Sequence, residues 1–342
     1  MPSFSQQKSL DFKDVNLIAS PAIVRSRKEI PIEGWRIIIA GMTSLIGPSF
    51  IHACSKLPED MQPTLHIPRD VFSGENLSLL RKLKYPADRI FVGVGLDTPD
   101  IELMAADCGF KNVLLDVANG YLPQVMEKVD VLKKKGFYVV AGSIHTGQGL
   151  AALAEAGCDV IRDGIAPGSV CITEDSTGFT RGKITEISTL YQKKIGYNKM
   201  QAEGASDHRI KTLSDGGITC PADIVKAFGG GADYIMTGRL FVHSSDARMH
   251  NMSELKFTSE DDTFGFHLPY HTYFGQASYW GKKAMNKINE DIEGKDEIID
   301  IPFVELKDIF NTIWDGIRSG ISYSGYASVD EFIGNGVFEV KA

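Results

Sequence analysis

The chain has little cysteine and no pairing pattern for it. Only five cysteines occur in 342 residues, they are scattered, and none forms a Cys-x-x-Cys pair. That argues against a disulfide framework and against a zinc ribbon, and it fits a reducing compartment, the cytoplasm. No apolar run approaches the length of a membrane span. The first residues, MPSFSQQKSLDFKDV, lack the apolar centre of a signal peptide. Basic residues are also in deficit: 36 Lys and Arg stand against 44 Asp and Glu, a formal charge of −8. Nucleic acid and anionic membrane are therefore excluded as main partners. A local phosphate site needs no net positive charge and stays open. Tandem repeats and low-complexity segments are absent.

What is present is a rhythm. Short apolar runs recur at RIIIAG (36–41), PTLHI (63–67), RIFVGVG (89–95), NVLLDVA (112–118), YVVAGS (138–143), DVIRDGI (159–165), KTLSDGG (211–217) and DYIMTGR (233–239). Each is the near-continuous run of a strand buried on both faces of a parallel sheet. Helix-like segments such as LPQVMEKVDVLKKKGF and CPADIVKAFGGGA lie between them, with glycine as the stop before the next strand. Eight strand–helix units without a composition break predict an α/β fold, a (β/α)8 TIM barrel spanning 1–342 as one domain. A doubly wound open sheet is the alternative. The regular spacing breaks once, between the sixth and seventh strands, where roughly 25 extra residues begin with GIAPGSVCITE. After the eighth strand, about 244–303 is polar, turn-rich and charged. It reads as a hairpin or flap over the mouth, or as a solvated excursion. VELKDIFNTIWDGIRS then closes the barrel.

Barrels carry their chemistry at the C-terminal ends of the strands. Cys171 falls there, in the loop of about 164–186. Backbone N–H groups of a Gly- and Ser-rich turn favour a thiolate, and a thiolate attacks an electron-poor carbon and leaves again. On local sequence alone Cys171 is either that nucleophile or a cysteine in a turn. The loops after strands seven and eight carry SDGG and TGR, where backbone N–H groups, with Arg239, suit a phosphate.

GIAPGSVCITE, followed by TLSDGGITCPADIVKAFGGGADYIMTG, resembles the IMP dehydrogenase/GMP reductase family. The likeness continues through LDFKDVNL near the start, LDVANGY at 115–121, YFGQAS at 273–278 and DGIRSGISYSG at 315–325, so it covers nearly the whole chain. The reductase side is the nearer. The chain length leaves no room for the regulatory domains usual in the dehydrogenases, LDVANGY resembles the reductase form, and the Arg-Tyr pair that activates water in dehydrogenase flaps is missing after YFGQAS.

The resemblance implies an oxidoreductase that converts GMP to IMP with NADPH. Cys171 would be the nucleophile, with Thr173 and Glu293 as a proton relay. Asp215 would hold the ribose. Gly216, Gly217, Gly238 and Arg239 would hold the phosphate, and Gly275, Gln276, Ala277 and Gly294 the rest of the nucleotide. Asp116, Val117, Ala118, Ile165, Ala166, Ser319 and Ser322 would face the cofactor. Ala166, Gly168 and Cys171 stand where the family binds potassium, and a homotetramer is implied.

The chain departs from the family pattern in several places. Ala166 and Arg239 replace glycines, and Glu174 replaces an arginine. Glu290, Asp291 and Ile292 replace Arg-Ala-Ser, Gly275–Ala277 replaces Gly-Met-Ser, and Ile67 stands near an expected lysine. These changes leave NADH as a second cofactor. They also leave three other functions: action on another purine nucleotide, an IMP dehydrogenase without regulatory domains, and a non-catalytic nucleotide-binding regulator.

Overall fold

A computed structural model describes residues 8–164, 177–204, 207–250, 271–285, 287, 294–300 and 303–341. Eight parallel strands close into a barrel: β2 (Ile37–Ile39), β3 (Thr64–Ile67), β4 (Ile90–Val94), β5 (Asn112–Asp116), β6 (Tyr138–Ile144), β7 (Val160–Asp163), β8 (Lys211–Asp215) and β9 (Tyr234–Thr237). The ring is sealed where Ile37, Ile38 and Ile39 pair with Ile235, Met236 and Thr237. These are the eight apolar runs of the sequence, in order, and closure rules out the open sheet.

The helices form an outer layer: α1 (Pro48–Ser55), α2 (Ser73–Lys82), α3 (Pro99–Asp107), α4 (Pro123–Lys134), α5 (Gly147–Glu155), α6 (Lys183–Glu203), α7 (Pro221–Gly230), the short α8 (Tyr279–Ala284), α9 (Leu306–Tyr323) and the short α10 (Val329–Phe332). Pro48, Pro123 and Pro221 start their helices, where a missing N–H costs nothing. Gly231 ends α7 at φ 115°, a conformation that a Cβ would strain. In α9 the buried residues Leu306, Phe310, Ile313, Trp314, Ile317 and Ile321 recur at helical spacing and form one apolar stripe.

Two strand pairs were not foreseen as such. Near the chain ends, β1 (Val15–Leu17) pairs antiparallel with β12 (Phe338–Val340). Within the stretch read as a hairpin or flap, β10 (Thr272–Phe274) pairs antiparallel with β11 (Asp296–Ile298). The extra residues between β7 and β8 hold α6, a 21-residue helix. Its buried side mixes Ile184, Ile187 and Leu190 with Lys183, Thr185, Glu186 and Lys194, so no clean apolar period marked it in the sequence.

The barrel interior is layered. Ile38, Phe91, Leu114, Val140, Val160, Leu213, Tyr234 and Met236 pack as one buried apolar cluster. Side chains two apart on a strand share a face. The next inward positions toward the strand ends are therefore Gly93, Asp116, Gly142, Arg162 and Asp215. A polar layer sits on an apolar one, at the end where barrels react.

Small residues make room for that layer. A Cβ on Gly120, in the loop after β5, would lie 2.4 Å from the carbonyl carbon of Gly142 on β6. The Gly120 N–H donates to the carbonyl of Ser143 at 2.8 Å, which pins the Asp116–Ala118 turn to its neighbour. Gly120→Ala is expected to force these backbones apart and cost about 2 kcal/mol. Thermal or chemical unfolding of the variant checks this, and an unchanged midpoint would refute the packing account.

Candidate active site

The site begins with the polar layer. Arg162 on β7 reaches across the barrel mouth in a fork. Its Nη1 donates to Oδ1 of Asp116 on β5 at 2.9 Å. Its Nε and Nη2 both meet Oδ2 of Asp215 on β8, at 2.8 and 2.7 Å. The Arg162 and Asp116 side chains are each only 14% exposed. Burial alone would raise the Asp116 carboxyl. The positive charge of Arg162, joined by Arg69 and, at the low pH where Asp116 titrates, by a protonated His66, outweighs it and holds Asp116 down at about 2. The same carboxylates keep Arg162 protonated against its own desolvation.

His66 lies beneath this layer, buried. Its Nδ1 accepts the N–H of Gly41 at 3.0 Å, which places the ring proton on Nε2. That Nε2 is buried without a hydrogen-bond partner among the described residues. Desolvation lowers the His66 pKa to about 4, with Asp116 and Asp215 opposing and Arg162 and Arg69 assisting, so the ring is neutral at pH 7. Arg69, in the loop after β3, stands 3.8 Å from Asp116 Oδ2, and its Nε is also buried without a hydrogen-bond partner among the described residues.

A second buried charge group lies behind β7. Asp163 points to the opposite face from Arg162, where its Oδ1 accepts from Lys183 Nζ at 2.5 Å and from the Asp215 N–H at 2.8 Å. Lys183 Nζ also reaches Glu186 Oε2 at 3.2 Å and the carbonyl of Asp215 at 2.6 Å. Glu186 Oε1 in turn accepts the N–H of Gly164 at 3.2 Å. The first turn of α6 thus grips both the start of the cysteine loop and the end of β8. Burial and then Glu186 push the Asp163 carboxyl up, against the pull of Lys183.

The expected nucleotide residues surround this framework. Gly216 and Gly217 follow Asp215 at φ 79° and 71°, so the backbone turns sharply at the mouth. A Cβ on Gly238, at the end of β9, would stand 2.7 Å from both the Met42 sulfur and the Tyr273 hydroxyl. Arg239 follows, with Nη1 bound to Glu297 on β11 at 2.6 Å. Gln276 donates from Nε2 to the Gly41 carbonyl at 3.1 Å, holding the Gly275–Ala277 turn against the end of β2. A Cβ on Gly294 would lie 2.7 Å from the Ser278 nitrogen, which places it beside that turn. Val117 is half-buried and Ala118 exposed in the turn after β5.

Ser319 and Ser322 lie elsewhere, on α9 in the outer layer. Between them Gly320 packs against Val225 of α7. Ser319 Oγ accepts from Arg27 and donates to the Asp315 carbonyl. Cys171, Thr173, Glu293, Ile165, Ala166 and Gly168 lie outside the described residues.

The sequence reading passed over Arg162, Arg69, His66, Lys183 and Glu297. For Arg162 a signal existed: DVIRDGI carries charges inside a strand expected to be buried on both faces. Such charges persist only when paired.

Two outcomes follow from these charges. Arg162→Met strands two carboxylates at the mouth and is expected to cost about 3–5 kcal/mol in chemical denaturation, with Asp215→Asn recovering part of it. A cost below about 1 kcal/mol would remove the fork from its central place. His66 sets a pH dependence. Its folded value lies below the unfolded one, so its contribution is complete above pH 6.5 and is lost as pH falls toward about 4. The loss is about 3 kcal/mol over that window. His66→Asn, which keeps an acceptor for Gly41, should flatten the urea-midpoint profile between pH 7 and 4. An unaltered slope would show that another group sets it.

Comparison with known proteins identifies the family of the chain. A family model for the IMP dehydrogenase / GMP reductase domain matches residues 84–341. The chain is 29% identical to GMP reductase 1 of Homo sapiens, with 97% of this chain and 94% of that protein covered. It is 27% identical to GMP reductase of Pediococcus pentosaceus, covering 93% and 92%. Inosine-5'-monophosphate dehydrogenase of Aquifex aeolicus is 28% identical over 70% of this chain and 46% of its own length. With its closed eight-stranded barrel and a family match over residues 84–341, the chain belongs to the IMP dehydrogenase/GMP reductase family of oxidoreductases.

Proposed function

We propose that the chain is a GMP reductase that turns GMP into IMP and ammonia at the barrel mouth. The observation that carries this reading is the Arg162 fork, which holds Asp116, expected at the cofactor, and Asp215, expected at the ribose, in one rigid unit. The full-length likeness to GMP reductases supports it.

In this reading Asp215 accepts from the ribose hydroxyls. Arg162 contacts only its Oδ2 among the described residues, so the other oxygen faces the ligand. Backbone N–H groups at Gly217 and Gly238 hold the phosphate. The Cys171 thiolate adds to C2 of the guanine ring, and the exocyclic amine leaves as ammonia after taking a proton through Thr173 and Glu293. The thioimidate that remains is discharged when C2 gains a hydride, the Cys171 sulfur departs with its electron pair, and IMP is released. NADPH, when bound, supplies that hydride. Asp116, Val117, Ala118, Ile165 and Ala166 would hold it, with NADH as the second choice. The orphaned Nε of Arg69 beside Asp116 fits a polar or anionic part of such a dinucleotide.

The potassium that the resemblance implies would take Ala166, Gly168 and Cys171, and no step here is derived through it. Ser319 and Ser322, on the outer-layer helix α9, are assigned no cofactor contact within one barrel, and the homotetramer that the resemblance implies is kept as part of the reading. One barrel domain with a flap at about 244–303, placed in the cytoplasm, completes the proposal. Among the described residues no helix is long and apolar enough to cross a membrane.

Absorbance at 340 nm tests the reading directly. Purified protein with GMP and NADPH should lose absorbance, and Cys171→Ala should abolish that loss, by at least a thousandfold. Turnover that persists in the alanine variant, or none with folded wild-type protein, would overturn it.

A further inference from the structure

The cation at the phosphate end of the site already has a partner. Arg239 opens a short 3-10 turn directly after Gly238, and its Nη1 lies 2.6 Å from Glu297 Oε2. Glu297 sits on β11 opposite Tyr273 of β10. The Tyr273 hydroxyl closes on Gly238, where a Cβ would stand 2.7 Å away. Gly238, Arg239, Tyr273 and Glu297 therefore form one cluster that joins the loop after the eighth barrel strand to the flap ladder. Barrels place phosphate at the loops after their seventh and eighth strands. In this chain a carboxylate holds Arg239, the charged side chain that directly follows Gly238.

A guanidinium engages carboxylate and phosphate through the same planar fork. Glu297 is thus a stand-in for phosphate in both charge and geometry. The two side chains are 34% and 36% exposed, and an ion pair this open to water is weak. A phosphate dianion brings more charge to the same donors. It also repels the carboxylate, so the two anions compete for Arg239.

We propose that Arg239 exchanges partners, pairing with Glu297 in the free protein and with the ligand's phosphate in the complex. Glu297 then sets how tightly the phosphate is held: its carboxylate must give up Arg239 before a phosphate pairs there, whereas an unphosphorylated sugar leaves the pair in place. The exchange also ties phosphate occupancy to β11, because the ligand removes one of the flap's bonds to the barrel. The inference rests on the reductase reading for the identity of the nucleotide, while its phosphate chemistry stands on the cluster itself.

Titration calorimetry on the full chain tests it, with ribose 5-phosphate and ribose as probes. Glu297→Gln should bind ribose 5-phosphate three- to fivefold tighter, with ribose unmoved, and Glu297→Asp should return toward wild type. Arg239→Gln should weaken ribose 5-phosphate about tenfold. Glu297→Gln should help less than half as much when Arg239 is absent. An unchanged affinity in Glu297→Gln overturns the proposal. An equal gain in both backgrounds also overturns it, because that is plain repulsion without exchange. So does failure of the wild-type chain to bind ribose 5-phosphate. GMP turnover is scored apart. Its absence with this pattern intact would refute the reductase reading alone, and its presence without the pattern would refute the exchange alone.

Discussion

One guanidinium carries the architecture of the mouth. Arg162 lies between two carboxylates that come from strands on either side of β7, and among the described residues no other side chain is hydrogen-bonded to both. Two acids facing each other across a low-dielectric barrel would repel and take up protons. With Arg162 between them they stay ionised and fixed. The neighbouring Asp163 points the other way and joins Lys183 and Glu186 of α6. A one-residue step along one strand thus anchors the interior of the mouth on one face and the base of the cysteine loop on the other. Both anchors meet at Asp215, whose side chain belongs to the first and whose backbone N–H and carbonyl belong to the second.

This explains what could be read from residues and what could not. The eight strands were legible because burial on both faces leaves only apolar runs, and the turns between them need glycine and proline. The closed barrel followed from their number and spacing. α6 was hidden because its buried face is built from ions as well as aliphatics, and ion pairing is a tertiary property with no period. The β1–β12 pair was hidden for another reason: strands of three residues at opposite ends of the chain carry almost no local signal. At the site, Asp116, Asp215 and the glycine turns came from the resemblance and from turn chemistry, and the structure gathers them at one end. Arg69 and Glu297 matter only through partners from other elements, so nothing near them in sequence announces them.

Among the described residues, the charges of the inward-facing layer largely cancel. Arg69 and Arg162 stand against Asp116 and Asp215, two cations for two anions, and His66 is neutral. Such a framework supplies position and hydrogen bonds and little net field, which suits chemistry on a neutral purine ring. Attraction for an anionic ligand must then come from the periphery, from the backbone turns at Gly217 and Gly238 and from Arg239. There the chain has put Glu297 in the way. A protein with a net charge of −8 already repels anions at long range. In the exchange proposed for Arg239, neutralising that cation lowers affinity for anions at short range as well, and a phosphate regains it only by displacing the Glu297 carboxylate from a planar donor. In the proposed reading the rigid interior fixes where the base and ribose lie. In the proposed exchange the weaker, solvent-open pair at the rim sets how tightly a phosphate is taken, and only an interaction of modest strength can serve there, because a buried, strong pair would not yield to any ligand.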